Sequence, residues 1–136
     1  MATLFARLSR PEHLGPEAAG AASAVEAMRA HPYLVGGRGR TDTLLMTQVS
    51  GVVSKVGAEG LHCAAVLEEG IGVAVRIEDG GERASGPALI QVLGELGAVT
   101  ARDLESLRPV ARRPVLGGGR PVGEVRAAFR LRRSDG

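Results

Sequence analysis

The sequence predicts an α+β fold in which helices pack on an antiparallel β-sheet, and three observations support this prediction. Three valine-rich runs follow one another within residues 50–78 and are joined by short glycine-containing turns, which is typical of consecutive hairpins. Segments with apolar residues at helical spacing lie on both sides of these runs. A stretch near the C-terminus alternates apolar and charged residues, as a strand with one solvated face does.

Three helices are predicted before the sheet, at residues 2–9, 17–30 and 43–48. Two prolines and a glycine break the pattern between the first and the second helix. The second helix should end before His31, because the residue that precedes a proline avoids helical backbone angles. Residues 31–42 are predicted to form a loop, in which Thr41 or Asp42 can cap the third helix.

The sheet is predicted as a meander of three strands, at residues 50–57, 61–67 and 71–77. Residues 85–97 then predict a helix, with Pro87 in its first turn and Gly97 as its C-terminal stop. The buried stripe of this helix is predicted to consist of Leu89, Val92, Leu93 and Leu96.

Two further elements are predicted toward the C-terminus. Thr100 followed three residues later by Asp103 resembles a capped helix start, and this short helix should end before Pro109. The alternating stretch at residues 123–133 predicts one more strand, with its apolar side chains on one face.

Length and composition favour a single domain over residues 1–136. Its charge is uneven, because seven arginines and two acids from Pro109 onward make residues 109–136 a basic tail behind a mildly acidic body. A nucleic acid partner is disfavoured, since two phenylalanines and one tyrosine are the only aromatic residues available for base stacking. No membrane-spanning run or secretory leader is visible, and a single cysteine excludes an internal disulfide, so we expect a cytoplasmic protein without a membrane partner.

Lys55 is the only lysine in a chain that has sixteen arginines. Arginine stays protonated in proteins, whereas a lysine can lose its proton when it is buried or placed near another cation. A site that needs an amine for proton transfer therefore cannot use arginine, which is a physical reason for a lysine at this position. The alternative is that Lys55 is a solvated residue of an edge strand.

The residues after Lys55 favour the catalytic interpretation. Lys55 is followed by Val56 and Gly57 where a strand ends. K-x-G at the end of a strand is the pattern by which serine amidohydrolases of the β-lactamase and penicillin-binding type place a lysine at the catalytic cleft. Gly57 would let a ligand approach the backbone without a Cβ atom in the way.

Several stretches of the chain resemble the C-terminal part of the rhizobial-type L-asparaginases, the asparaginase II family. The most specific are HP-x-LV-x-G-x-GR-x-DT-x-LM at residues 31–46 and K-x-GAEG at residues 55–60. The resemblance implies a fold like the C-terminal half of a serine β-lactamase- or glutaminase-like domain. It also implies hydrolysis of the side-chain amide of L-asparagine to aspartate and ammonia by Ser–Lys pairs, with Lys55 as one of the catalytic lysines.

The resemblance also indicates what this chain lacks. Members of the family are more than twice as long, and their first half supplies the serine nucleophiles, one of them in an S-x-x-K arrangement, and the cysteine and lysine ligands of a zinc site. An S-x-x-K ending at Lys55 would need a serine where Val52 stands. We expect no cofactor in this chain, and the adjacent His62 and Cys63 are a poor chelate because neighbouring strand residues point to opposite faces.

Residues near the lysine are candidates for binding the substrate. Arg38, Arg40 and Asp42 can hold a substrate carboxylate or brace the cleft, or they can form an Arg–Asp pair that pins their loop. Glu59 belongs to the same predicted set and can keep the lysine protonated through its charge, or it is simply an acid in a turn. Ser54 is a poor nucleophile candidate, because alternation places it on the opposite face of the strand.

Three hypotheses follow for a chain that carries the lysine without a nucleophile. The chain completes its site with a partner polypeptide that corresponds to the N-terminal half, or it is a truncated remnant that forms a homodimer without activity. In the third hypothesis it is a binding module for a small amide or amino acid. An apolar face left open by a missing half favours association in each case.

Overall fold

A three-stranded antiparallel sheet lies at the centre of the computed structural model, which describes residues 1–132. Its strands are β1 (Val52–Val56), β2 (Leu61–Val66) and β3 (Ile71–Arg76). They pair in chain order, so β2 is central and β1 lies at an edge. The predicted meander and the α+β fold class are confirmed.

Seven α-helices surround the sheet within the described residues: α1 (Ala2–Leu8), α2 (Ala18–Ala30), α3 (Pro32–Gly36), α4 (Thr41–Gln48), α5 (Glu82–Glu95), α6 (Ala101–Ser106) and α7 (Arg108–Ala111). Two short 3-10 turns occupy the proline-containing break between α1 and α2. The predicted start of α6 is confirmed, because Thr100 and Asp103 exchange the two hydrogen bonds of a capping box. Among residues 1–132 no helix combines the length and apolar character that a membrane span requires.

The segment before α4 is more helical than predicted. Residues 31–42 are not a continuous loop, because Pro32 begins α3 and Gly37, with φ of +92°, follows its end. Helix α4 begins at Thr41, so Thr41 and Asp42 lie inside its first turn and neither is its N-cap. The carboxylate of Asp42 is buried instead of capping the helix.

Helix α5 begins at Glu82 instead of residue 85. Pro87 therefore lies in the second turn, and its predicted place in the first turn is wrong. A proline there leaves the carbonyl of Arg83 without its i→i+4 donor. Gly97 follows the helix with φ of +81°, in agreement with its predicted role as the C-terminal stop.

The buried face of α5 differs in part from the predicted stripe. Leu89 and Leu93 are fully buried as predicted, and Val92 is half-buried. Leu96 is exposed, because it follows the last residue of the helix, whereas Ile90 is buried without having been included. Compared with the predicted stripe, the core-facing surface of α5 is thus rotated toward Ile90.

The C-terminal strand pairs with a strand that the sequence does not predict. β5 (Arg120–Val125) pairs antiparallel with β4 (Arg113–Gly117), and the two form a separate sheet. The strand predicted at residues 123–133 is therefore displaced, because the described residues beyond Val125 have no partner strand. Residues 133–136 of the basic tail, which include Arg133 of this predicted strand, lie outside the described residues.

The central sheet separates two hydrophobic clusters. On one face, helices α4, α5 and α7 pack on the side chains of Val52, Ala64, Val66 and Val73. On the other face, Phe5 of α1 and Met46 of α4 pack on Val53, Cys63 and Ala65. Because both faces of the sheet are covered, its strands read as nearly continuous apolar runs.

Helix α1 packs against β3 at Gly72, and this contact leaves no room for a side chain. A Cβ atom at Gly72 would overlap the carbonyl oxygen of Ala2 and the backbone nitrogen of Ala6. These are backbone atoms, so a side chain at Gly72 would have to displace the helix itself.

We expect Gly72→Ala to lower the free energy of unfolding by about 1–3 kcal/mol, because α1 must move away from β3. Gly94→Ala is the matched control, since nothing lies within 4 Å of a Cβ atom at this position in α5. The control should raise stability by up to about 1 kcal/mol through helix propensity. Urea denaturation of both variants measures the difference, and equal effects would contradict this account of the α1–β3 contact.

Candidate functional site

The free edge of β1 is the part of the fold that carries the candidate lysine. The N–H of Gly57 donates to the carbonyl of Leu61 at 2.8 Å, so this facing pair is hydrogen-bonded. Pairs alternate along an antiparallel ladder, so the next pair, Val56 and His62, is not hydrogen-bonded. The N–H and the C=O of Val56 therefore point away from β2, toward the edge of the sheet.

Lys55 lies at this free edge. Its exposed side chain turns back along the strand, and Nζ donates a hydrogen bond to the carbonyl oxygen of Val56 at 2.8 Å. In the register of the sheet Lys55 lies opposite Cys63, whose thiol is buried and has its pKa raised by that burial. The structure thus places the amine at the rim of the sheet, beside the end of β1.

Asp42 binds the other backbone polar group of Val56, its N–H. The backbone N–H of Val56 donates to Oδ2 of Asp42 at 3.0 Å. Oδ1 of Asp42 accepts two more hydrogen bonds, from Oγ of Ser54 at 2.6 Å and from Nε2 of His62 at 2.7 Å. Asp42, Ser54 and His62 are each no more than 2% exposed, so this is a buried polar network within the core.

The network contains the three residue types of a serine-hydrolase triad, but its geometry is different. In a catalytic triad the acid and the serine bind opposite ring nitrogens, so that a proton can pass through the imidazole. Here Ser54 Oγ lies 3.1 Å from Nε2 of His62, the same nitrogen that contacts Asp42, and Nδ1 has no hydrogen-bond partner in the described protein. Ser54 is also fully buried. The arrangement can hold a carboxylate in place, but it does not activate a nucleophile.

The charge of Asp42 is maintained by its donors. Burial by itself raises the pKa of Asp42, because desolvation disfavours the carboxylate. Hydrogen bonds from His62, Ser54 and Val56 act in the opposite direction and bring the pKa of Asp42 below its ordinary value of 3.8. The ionised carboxylate is therefore the form that this interior stabilises.

The predicted arginines lie apart from this carboxylate. Nη2 of Arg40 contacts Glu82 of α5 at 3.0 Å, so Arg40 pairs with Glu82 and Asp42 with His62, in contrast to the predicted Arg–Asp pair. Arg38 is exposed in the turn before α4. Their proposed contact with a substrate carboxylate stays a prediction, and so does the contact proposed for Asp42, although all three donors of Asp42 come from the protein itself.

A small cavity lies beneath the Arg40–Glu82 pair. Its volume is about 20 Å³, and it is lined by Arg40, Thr41, Asp42, Val56, His62, Glu82, Ser85 and Arg113. A space of this size holds about one water molecule. It is therefore too small for an amino acid in this conformation.

The turn after β1 contains a strained residue. Leu61 N–H donates to the carbonyl of Ala58 at 3.2 Å, and the two central residues, Glu59 and Gly60, both have positive φ, of 53° and 73°. This is the backbone of a type I′ turn, which suits asparagine and glycine but disfavours glutamate. Oε2 of Glu59 contacts Arg76 at 3.1 Å, so the observed partner of this acid is an arginine of β3.

Gly57 packs closely within the same hairpin. A Cβ atom at Gly57 would lie 3.1–3.4 Å from three side-chain atoms of Leu61. The glycine therefore has a packing reason to be small, and its proposed role in ligand approach stays a prediction.

Sequence reasoning missed the buried position of Asp42 and the hydrogen bonds that join it to Ser54 and His62. The available signal was the position of polar residues in strands that are otherwise apolar. Ser54 and His62 belong to β1 and β2, and both project to the α5 side of the sheet. A polar pair on a core-facing surface indicates a buried partner, but the sequence does not show that the partner is Asp42.

The larger grooves of the described surface do not include the lysine. Three grooves of roughly 580–650 Å³ lie between α2 and α4, along α5 to α7, and between α1 and α2. Lys55 lines none of them. Within residues 1–132, therefore, the amine is presented at an edge and is not enclosed in one of these grooves.

A family model described as L-asparaginase II matches residues 1–127. This range contains both sheets, all the described helices and Lys55. No curated protein matches the chain.

The lowered pKa of Asp42 predicts a pH dependence of stability. Its stabilising effect is present above the ordinary value of 3.8 and is lost as the pH falls through the lower pKa of the folded state. We expect Asp42→Asn to be less stable than the wild type by about 2–4 kcal/mol at neutral pH, because one buried acceptor becomes a donor that faces the N–H of Val56. Below pH 4 the difference should shrink. Urea denaturation between pH 2.5 and pH 7 measures it, with Glu68→Gln in an exposed turn as the control for charge.

The strained turn predicts a stabilising substitution. Glu59→Asn should raise the free energy of unfolding by about 0.5–1 kcal/mol, because asparagine tolerates positive φ in a type I′ turn. The exposed contact with Arg76 that is lost contributes less than about 0.5 kcal/mol. Thermal unfolding measures the gain, and Glu68→Asn, at a residue without positive φ, should show none. A loss of stability in Glu59→Asn would show that the turn is not strained.

Proposed function

Because the chain belongs to the asparaginase II family, we propose that it supplies the lysine-bearing part of an L-asparaginase-type amidohydrolase that converts L-asparagine to L-aspartate and ammonia. Membership of the family indicates asparaginase-like, hydrolytic chemistry. The substrate, the step that Lys55 performs and the partner that completes the site are parts of the proposal.

The observation that supports this proposal most directly is the position of Lys55. The K-x-GAEG stretch ends β1, and the amine lies at the free edge of that strand, where the fold leaves it exposed. An amine inside the core of this chain could not meet a second polypeptide. An amine at an edge can form one wall of a site whose other wall comes from elsewhere.

In the proposed mechanism a serine oxygen attacks the side-chain amide carbon of asparagine and forms a covalent acyl intermediate. The lysine amine accepts the serine proton and passes it to the nitrogen that leaves as ammonia. Water then attacks the acyl carbon, releases aspartate and restores the serine. The amine must be neutral when it accepts a proton, which arginine in its place could not be.

The serine in this scheme comes from another polypeptide. Ser54, the neighbour of Lys55, is fully buried on the opposite face and is held by Asp42 and His62. We propose that a polypeptide corresponding to the N-terminal half of the family brings the nucleophile to the edge of β1. Arg38 and Arg40 would then hold the substrate carboxylate, and this chain itself would bind no cofactor.

Association of the chain is supported by apolar side chains on its surface. Leu34 is 79% exposed, Val122 68% and Leu116 60%. Val122 and Leu116 belong to the paired strands β5 and β4, and neighbouring exposed apolar side chains are a feature of surfaces that bind partners. We propose that the chain acts in the cytoplasm, with neither a membrane nor a nucleic acid as its partner.

A second candidate function is a non-catalytic one. Lys55 lines none of the three larger grooves, and a lysine outside a cleft cannot by itself exclude water from an amide. On this view the chain is a homodimeric remnant, or it binds a small amide or amino acid without turning it over.

Ammonia release from L-asparagine distinguishes the two candidates. The purified chain is assayed alone and after mixing with the S-x-x-K-bearing N-terminal half of a full-length family member. We expect ammonia only from the mixture, and Lys55→Met should reduce its rate by roughly 10²- to 10⁴-fold, because proton transfer is lost. No ammonia from either preparation would favour the non-catalytic candidate.

Two control variants separate proton transfer from charge and from surface changes. Lys55→Arg keeps the positive charge but cannot become neutral, so it should be as inactive as Lys55→Met. Arg102→Met removes an exposed cation from α6 and should leave the rate of the mixture unchanged. Full activity in Lys55→Arg would show that the side chain acts only through its charge.

A further inference from the structure

We propose that Asp42 is a positioning residue for Lys55, which it holds in place through the backbone of Val56. This inference rests on the proposed function, because it is of catalytic interest only if the amine of Lys55 takes part in the reaction. It assigns to Asp42 a role other than contact with the substrate, and it gives His62 and Ser54 a role in the same arrangement.

The N–H and the C=O of Val56 form the link between Asp42 and Lys55. Both point to the free edge of β1, and in an ordinary edge strand they would form hydrogen bonds with water. Here both are bound by charged side chains. The N–H donates to Oδ2 of Asp42 at 3.0 Å, and the C=O accepts from Nζ of Lys55 at 2.8 Å. The carboxylate and the ammonium group therefore bind one and the same residue.

The carboxylate of Asp42 is held rigidly by two strands. Oδ1 of Asp42 accepts from Ser54 on β1 and from His62 on β2, so two adjacent strands hold it. All three side chains are at least 98% buried, and bulk water therefore does not compete for these hydrogen bonds. The acceptor of the Val56 N–H cannot rotate without breaking bonds to both strands.

The rigidity of this carboxylate is passed to the amine of Lys55 through the backbone. The N–H of Val56 belongs to the peptide unit that begins at the Cα of Lys55, so Asp42 holds the backbone from which the lysine side chain extends. The carbonyl that receives Nζ belongs to the next peptide unit, whose N–H, that of Gly57, donates to the carbonyl of Leu61, so the acceptor is held as well. Lys55 then has a fixed acceptor against which its long side chain is ordered, although the side chain itself is exposed.

The experiment uses the fact that the chain has one lysine. Incorporation of ¹³C,¹⁵N-lysine gives a single set of side-chain NMR signals, which come from Lys55 and need no substrate. Amide hydrogen exchange of Val56 is measured on the same wild-type and Asp42→Asn proteins. We expect Asp42→Asn to speed exchange at Val56 on the order of 10- to 100-fold and to move the Lys55 side-chain signals to those of a freely rotating lysine.

Asp103→Asn is the matched control. It makes the same chemical change at an exposed carboxylate that caps α6, so it removes a charge and a hydrogen bond without touching β1. The control should leave the Val56 amide and the Lys55 signals as they are in the wild type. Equal changes in both variants would show that the Lys55 signals report general stability, and the proposal would then be wrong.

A measurement on the wild-type chain keeps the proposal falsifiable if Asp42→Asn does not fold. The Val56 amide should exchange as slowly as amides in the central strand β2, although it lies on the free edge of β1. Exchange at the rate of an unprotected amide would overturn the proposal. Asparagine hydrolysis is assayed separately, so an inactive protein with an ordered Lys55 would count against the proposed function alone.

Discussion

The buried carboxylate of Asp42 is the interaction on which the arrangement of the candidate site depends. It joins the first turn of α4 to the ends of β1 and β2 through three hydrogen bonds. A buried charge is unfavourable unless donors surround it, and here each donor comes from the fold itself. The helix, the two strands and the residue that follows Lys55 are therefore held together by one group.

The edge position of β1 has two consequences that belong together. It leaves the polar groups of Val56 without a neighbouring strand, and it leaves Lys55 exposed. Asp42 and the lysine amine occupy those polar groups, so the edge is satisfied at Val56 without a further strand. The same arrangement protects the sheet from pairing with another strand at this point.

Much of the fold follows from local pattern. The three strands, the helix from Ala18 to Ala30 and the capping box of Thr100 were predictable, because alternation, helical spacing and caps act between residues close in sequence. The early start of α5 and the pairing of β5 with β4 could not be predicted from local pattern. A strand needs a partner, and alternation at residues 126–132 does not reveal whether a partner is present.

Within the candidate site, the sequence by itself identified Lys55 as the candidate residue. A single lysine among arginines has a chemistry that arginine lacks, because its amine can become neutral. The tertiary structure decided where that amine lies, and that Asp42 meets Ser54 and His62, which are 12 and 20 residues away. The physical reason is that a buried polar group takes whichever donors the packing of helices on the sheet brings within reach. Those donors are set by contacts across the fold, which no spacing along the chain encodes.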